Sequence, residues 1–184
     1  IRRNAATLWM GPNCHLVHYP LSGSKVFNIV ITKVNNATEV VAGKSLTHEE
    51  VHANFDHIHD LPQKLIEIGL NWKVWVLCDR APTENWIDGR AVLLGDAAHP
   101  TLQYYAQGAC MALEDAVCLS EVISSYPDNL DNALEIYRDN RVIRTARIQI
   151  GSRQLGDNWF HVDGVHRKLR NEIMGNMSAE DYYN

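Results

Sequence analysis

The stretch Gly89–Ala116, GRAVLLGDAAHPTLQYYAQGACMALEDA, decides how the rest of the chain is read. Its short apolar run, Ala91 to Leu94, stands between turn formers on both sides. That is the pattern of a strand buried on both faces, although so short a run does not separate a strand from a buried helix segment. At Gly95 the chain must turn sharply, and a residue without Cβ reaches backbone angles closed to the others. Asp96 then stands at the carboxyl end of the expected strand, where α/β folds hold their ligands. Gln107-Gly108-Ala109 opens a helix whose start offers bare N–H groups and the positive end of a dipole. A short carboxylate and a helix N-terminus together suit a polyhydroxylated, partly anionic ligand. A plain strand-turn-helix junction with a capping aspartate reads the same way.

Downstream, Ala109 to Ser124 reads as a helix with small residues at Ala109, Ala112, Ala116 and Ser120, which predicts close packing inside the protein. Leu130 to Phe160 continues as a longer amphipathic helix, with Arg138, Arg141, Arg144 and Arg147 expected on its solvent side. Upstream the first third reads as β. ATLWMG, HLVHYPL and KVFNIVITKV are separated by Gly11-Pro12-Asn13 and Ser22-Gly23-Ser24, an antiparallel meander by its turns. Alternation puts His15, Val17 and Tyr19 on one face and Leu16, His18 and Pro20 on the other. Pro20 lacks an N–H, so the strand should end or lie at an edge there. Thr47 with Glu50 forms a capping box ahead of Val51, Phe55 and Ile58 at helical spacing. Pro62 breaks or restarts that helix, Gly69 closes it, and NWKVWVLCD alternates as a further strand.

Composition sets limits on function. The 184 residues are 46% hydrophobic and 21% charged, with net charge −5. No long basic run suggests a nucleic-acid binder or a polybasic membrane anchor, and no apolar stretch approaches a membrane span. Cys14, Cys78, Cys110 and Cys118 include no Cys-x-x-Cys pair and read as free thiols of a reducing, cytoplasmic compartment. His48, His52, His57 and His59 lack the thiol or carboxylate spacing of a metal site and read as solvated helix positions, so no metal is expected.

The run from Asp79 to Ile123, DRAP…W…GRAVLLGDAAHPTLQYYAQGACMALEDAVCLSEVI, resembles the second FAD-binding motif of the class A flavoprotein aromatic hydroxylases, the para-hydroxybenzoate hydroxylase-like family. Arg80, Pro82, Trp86, Gly89-Arg90, Leu94 to Pro100, Gln107-Gly108 and Glu114-Asp115-Ala116 fall into its pattern. GPNCHLVHYPLSGSKVFNIV is similar to the family's substrate-covering sheet, and ALEIYRDNRVIRTARIQIGSRQLGDNWFH to its closing helices. LQYYAQGAC most resembles the branch hydroxylating 3-hydroxybenzoate at C6, with salicylate hydroxylases close to it.

The resemblance implies a mixed α+β and α/β architecture, a partial para-hydroxybenzoate hydroxylase-like fold. Residues 1–85 would hold the antiparallel substrate sheet and helices, and 86–184 the second FAD motif and the C-terminal helices. It implies FAD as cofactor, NADH or NADPH as electron donor, a small aromatic substrate and a possible homodimer. Asp96 would accept hydrogen bonds from the FAD ribityl chain, and Pro100 would pack near the reacting edge of the flavin. Arg80 belongs to the same cofactor motif, and the N–H groups around Gly108, Ala109 and Cys110 would face the pyrimidine carbonyl. A phenol reacts far faster as its phenolate, and histidine titrates in the useful range, so His15 is the expected base. Gln103 would hydrogen-bond the same hydroxyl, and Tyr19 and Tyr104 would contact the ring or its carboxylate.

The family's other signature, Gly-x-Gly-x-x-Gly after an N-terminal strand, does not occur in these residues, nor does its intervening Asp-Gly motif. The expectation is therefore a C-terminal portion of such an enzyme, holding FAD weakly and inactive alone. The alternative is a truncated, non-catalytic remnant serving as a binding or dimerisation module.

Overall fold

The computed structural model describes residues 4–35 and 37–178. The chain divides into two units, one running to Val76 and resuming at Asp157, the other Leu77–Gly156, rather than at a single point near residue 85. Both are mixtures of helix and small antiparallel sheet.

The first unit is built on the expected meander: β1 (Thr7–Gly11), β2 (Cys14–Leu21) and β3 (Val26–Lys33), in that order across the sheet. Asn13 takes the left-handed conformation, φ 55°, that a turn with Pro12 ahead of it asks of the next residue. The β1 ladder on β2 stops at Thr7 opposite His18, so among the described residues Pro20 lies where β2 has only β3 beside it. Its missing N–H therefore costs no ladder bond on that side. Cys14 and Leu16 face helices α1 (His48–Phe55) and α2 (Asp60–Ile68), closing a core with Val51, Phe55, Leu65 and Ile66. The capping box forms as read: Thr47 N donates to Glu50 Oε2 (2.8 Å) and Glu50 N to Thr47 Oγ1 (3.1 Å). Pro62 sits in the first turn of α2, where its missing N–H is tolerated, and Gly69 caps the other end. Glycine is needed at 69 because a Cβ there would lie 2.4 Å from the Trp72 ring.

The strand expected over Asn71–Asp79 is shorter. Only β5 (Lys73–Trp75) forms, paired with β4 (Ala42–Ser45), while Leu77 and Cys78 are exposed. AGKS carries none of the β-branched or aromatic residues that signal a strand, so β4 has no mark in the sequence. His48, His52, His57 and His59 are all exposed, but only His48 and His52 are helix positions as read; His57 lies in the link to α2 and His59 caps α2, its Nδ1 accepting from Leu61 N at 3.2 Å.

In the second unit β6 (Ile87–Asp88) and β7 (Ala91–Val92) make a two-stranded hairpin. The run Ala91–Leu94 is thus not buried on both faces. Leu93 and Leu94 are 37% and 42% exposed, because β6 is the only strand among the described residues that pairs with this segment. Helices α3 (Gly108–Ser125) and α4 (Leu130–Leu155) pack over the hairpin, with Trp86, Ala98, Val122, Ala133 and Tyr137 as the core. The faces of both helices differ from the reading above. Ala109, Ala116 and Ser120 are exposed, and α3 buries Met111, Asp115 and Val122 instead. Arg141 is not on a solvent face but buried at 8% exposure, because two carboxylates of α3 draw it inward. After α4 the backbone widens into a π-helical turn, Gly156–Phe160, and α5 (Gly164–Asn176) follows. No helix among the described residues is long and apolar enough to cross a membrane.

Candidate functional site

The Leu94–Pro100 segment is held from three directions. Gly95 adopts φ +57°, the left-handed angle its position was expected to need, with Ala112 3.3 Å from where a Cβ would stand. Asp115, wholly buried on α3, accepts from Gly95 N (2.9 Å) and contacts His99 Nε2 (2.6 Å) through Oδ2. Its Oδ1 accepts from Arg141 Nε at 2.7 Å. Arg141 also reaches Glu114 (2.7 Å) and the Met111 carbonyl (3.3 Å), and Arg144 adds a second cation on Glu114 at 3.0 Å. Burial alone would favour the neutral acid. The bonds from His99, Gly95 N–H and Arg141 outweigh it and hold the Asp115 carboxyl below the usual aspartate range.

Arg80 secures the second side, its Nη2 donating to the carbonyls of Ala97 (2.6 Å) and Ala98 (2.7 Å). Gln149, buried on α4, closes the third by donating to the carbonyls of Arg80 and Pro100, both at 3.2 Å. Asp79 is tied in turn by Arg153 at 2.5 Å. What this bracing leaves outward is Asp96. Its side chain is exposed, while Gly95, Ala98 and His99 beside it are buried and Pro100 is half-buried.

The start of α3 is equally open. Gln107 at the N-cap makes no side-chain capping bond, Ala106 before it is left-handed (φ 54°), and Ala109 and Cys110 are exposed. First-turn N–H groups without a cap are donors in search of an acceptor, at the positive end of an 18-residue helix. An outward carboxylate can accept from hydroxyls, and an uncapped helix start can hold a carbonyl or an anion, as the FAD implied by the motif would ask. The residues present fit it.

Gln103 and Tyr104 lie in a 3₁₀ turn, Gln103–Tyr105. The Tyr104 ring stands against Gly156 and the Tyr105 ring against Gly151, where a Cβ would come within 2.5 Å and 2.8 Å of them. The two glycines of α4 and its end thus exist to let aromatic rings lie on the helix backbone.

In the sheet unit, His15 and Tyr19 share a face of β2 as expected, opposite Thr32 and Asn28 of β3. Asn28 Nδ2 donates to Tyr19 Oη at 2.8 Å. His15 is 3% exposed, with Nδ1 2.7 Å from His161 Nε2 and the two rings stacked at 5.0 Å. The Phe160 ring lies 5.1 Å away. Burial, and after it the second imidazole, lowers the His15 pKa from 6.5 to about 4. His15 is therefore neutral throughout the neutral pH range. Burial lowers His161 as well. Sequence reasoning placed His161 at the end of the closing helices without a role. Its only signal was a histidine after a Trp-Phe pair, and nothing local ties it to a residue 146 positions earlier.

Several known proteins are similar to this chain. The family model described as FAD binding domain matches residues 15–148. The chain is 49% identical over its whole length to 3-hydroxybenzoate 6-hydroxylase 1 of Aquipseudomonas alcaligenes, covering 46% of that protein. It is 41% identical over its whole length to 3-hydroxybenzoate 6-hydroxylase of Klebsiella oxytoca, again covering 46%. The chain thus spans about half the length of the curated relatives it matches. Among solved structures, a salicylate hydroxylase substrate complex superposes with TM-score 0.75 at 24% identity, over 99% of this chain and 48% of that one. Klebsiella pneumoniae HpxO, complexed with FAD and uric acid, gives 0.77 at 22%, over 96% and 45%. These superpositions establish the same fold. With a family match over most of its residues, the chain belongs to the FAD binding domain family.

Proposed function

We propose that this chain is part of an FAD-dependent monooxygenase that hydroxylates a hydroxybenzoate-type ring, either 3-hydroxybenzoate at C6 to give gentisate, or salicylate. The observation that carries this reading is identity of 41–49% along the chain with four proteins named 3-hydroxybenzoate 6-hydroxylase. FAD, when bound, supplies the transfer of two electrons from NADH or NADPH and the activation of O2, with one oxygen atom entering the ring and the other leaving as water. The residues of this chain bind, orient and move a proton.

Asp96 is the group for the ribityl hydroxyls, held outward by Asp115, Arg80 and Gln149 behind it. Pro100 borders the flavin ring in this reading, and the N–H groups of Gly108, Ala109 and Cys110 favour negative charge on its pyrimidine side. His15, held neutral by its lowered pKa and so a weaker base than a free imidazole, takes the phenol proton at Nε2, which requires Nδ1 to carry hydrogen and donate to His161 Nε2. His161 is then the positioning residue that selects the tautomer of His15. Gln103, Tyr19 and Tyr104 orient the hydroxyl and the ring. A cytoplasmic location and a homodimer agree with this chemistry.

The test uses the full-length polypeptide that contains this sequence. It should carry the flavin absorption band and couple NAD(P)H oxidation to hydroxylation of the ring, with gentisate the product from 3-hydroxybenzoate or a hydroxylated product from salicylate. His15→Ala should lower hydroxylation about 10²- to 10⁴-fold, the span of a lost general base, with flavin still bound. Unchanged turnover in that variant refutes the base. Absence of flavin and of product with both rings refutes the function.

A further inference from the structure

Within the sheet unit, a cavity of about 420 Å³ opens where the β1–β2 turn, the link between α1 and α2, and α5 meet. Ligand sites in proteins are of this size. Trp9, Leu16 and Phe55 give it an apolar wall, and Arg167, Lys168 and Arg170 of α5 line it opposite a set of residues that includes no Asp or Glu. That wall comes from the Leu16 face of β2, which packs on α1 and α2, whereas Tyr19 and Asn28 lie on the other face. His15 also borders the cavity.

Arg170 is the informative residue. It is 5% exposed, and every acceptor it has is neutral: Nη1 donates to the Trp159 carbonyl (2.9 Å), and Nε and Nη2 share Asn171 Oδ1 (3.1 and 2.8 Å). None of the ion pairs among the described residues includes it. The other deeply buried arginine, Arg141, meets two carboxylates. A guanidinium withdrawn from water without a counter-charge is costly, and more so with Arg167 and Lys168 nearby. We propose that this cavity binds an organic carboxylate with an apolar body, the carboxylate on Arg170 and the body on Trp9, Leu16 and Phe55. The arrangement asks for both halves, because an inorganic anion leaves the wall bare and a neutral hydrocarbon leaves Arg170 unpaired.

The test is a calorimetric titration of the purified full-length polypeptide that contains this sequence with octanoate, octanamide and acetate. Octanoate should bind saturably. Octanamide, with the same body and no charge, should bind at least about ten-fold more weakly, and acetate should show no measurable binding. Arg170→Gln should weaken octanoate by about 10- to 100-fold, the range for hydrogen bonds to a charged group. Ile58→Trp fills the cavity with Arg170 intact and should abolish binding, so the proposal stays testable if the arginine variant fails to fold. Equal affinity for octanoate and octanamide, no saturable octanoate binding, or unaltered binding by the folded variants overturns the proposal. So does one-for-one competition between octanoate and 3-hydroxybenzoate, which would make this the ring's own site.

Discussion

Acid should loosen the sheet unit through His15. In the unfolded chain this imidazole takes up its proton near pH 6.5, and in the folded chain only near 4. Between those values the unfolded state binds more protons, so stability falls as pH falls. The contribution is fully present above pH 6.5 and is lost by about pH 4. At about 1.36 kcal/mol per pH unit, the gap between 6.5 and about 4 amounts to about 3 kcal/mol. That is a large part of the stability of a domain this size. His161 and His18, both lowered by burial, push in the same direction, so the effect of His15 must be isolated by difference. His15→Gln keeps a hydrogen-bonding group toward His161 but does not titrate. Urea unfolding of the wild-type chain and this variant, from about pH 7.5 to about pH 4, gives the comparison at constant m. Wild type should lose about 3 kcal/mol more than the variant across the window. Equal losses in the two proteins refute the reasoning. A His15 imidazole that titrates near pH 6.5 by NMR does so as well.

Asp115→Ala should cost about 3 kcal/mol in chemical denaturation, because the buried Arg141 loses one of its two carboxylates while Gly95 N and His99 lose their acceptor. Replacing the pair together, Asp115→Leu with Arg141→Met, should recover most of that loss. Gly95→Ala should cost about 1–2 kcal/mol, since its φ of +57° is a strained angle for any side chain, and thermal melting reads the loss directly. In the full-length polypeptide, on the proposed function, it should also weaken FAD retention, because the turn presents Asp96. Thr47→Ala removes one half of the capping box and should lower stability by about 1 kcal/mol.

What the sequence determined by itself was local. The Thr47–Glu50 box, the Pro12-Asn13 turn, the end of the β1 ladder on β2 before Pro20 and the left-handed Gly95 each rest on backbone chemistry settled within a few residues. The alternation that joined His15 to Tyr19 is of the same kind. The long motif from Arg80 to Ala116 identified the family because its glycines and acids sit at fixed spacing along one segment. Only the tertiary structure decided which helix faces are buried. Periodicity sorts residues into stripes without saying what packs on each. Thus Arg141 reads as a solvent arginine until Asp115 and Glu114 arrive from another helix, and Ala109, Ala116 and Ser120 read as a packing stripe that no described residue covers. Leu93 and Leu94 read as buried because apolar composition reports a preference for partners, not their presence. The bond between His15 and His161 is the extreme case: a contact between residues 146 positions apart depends on how the whole chain closes, and no local free energy records it.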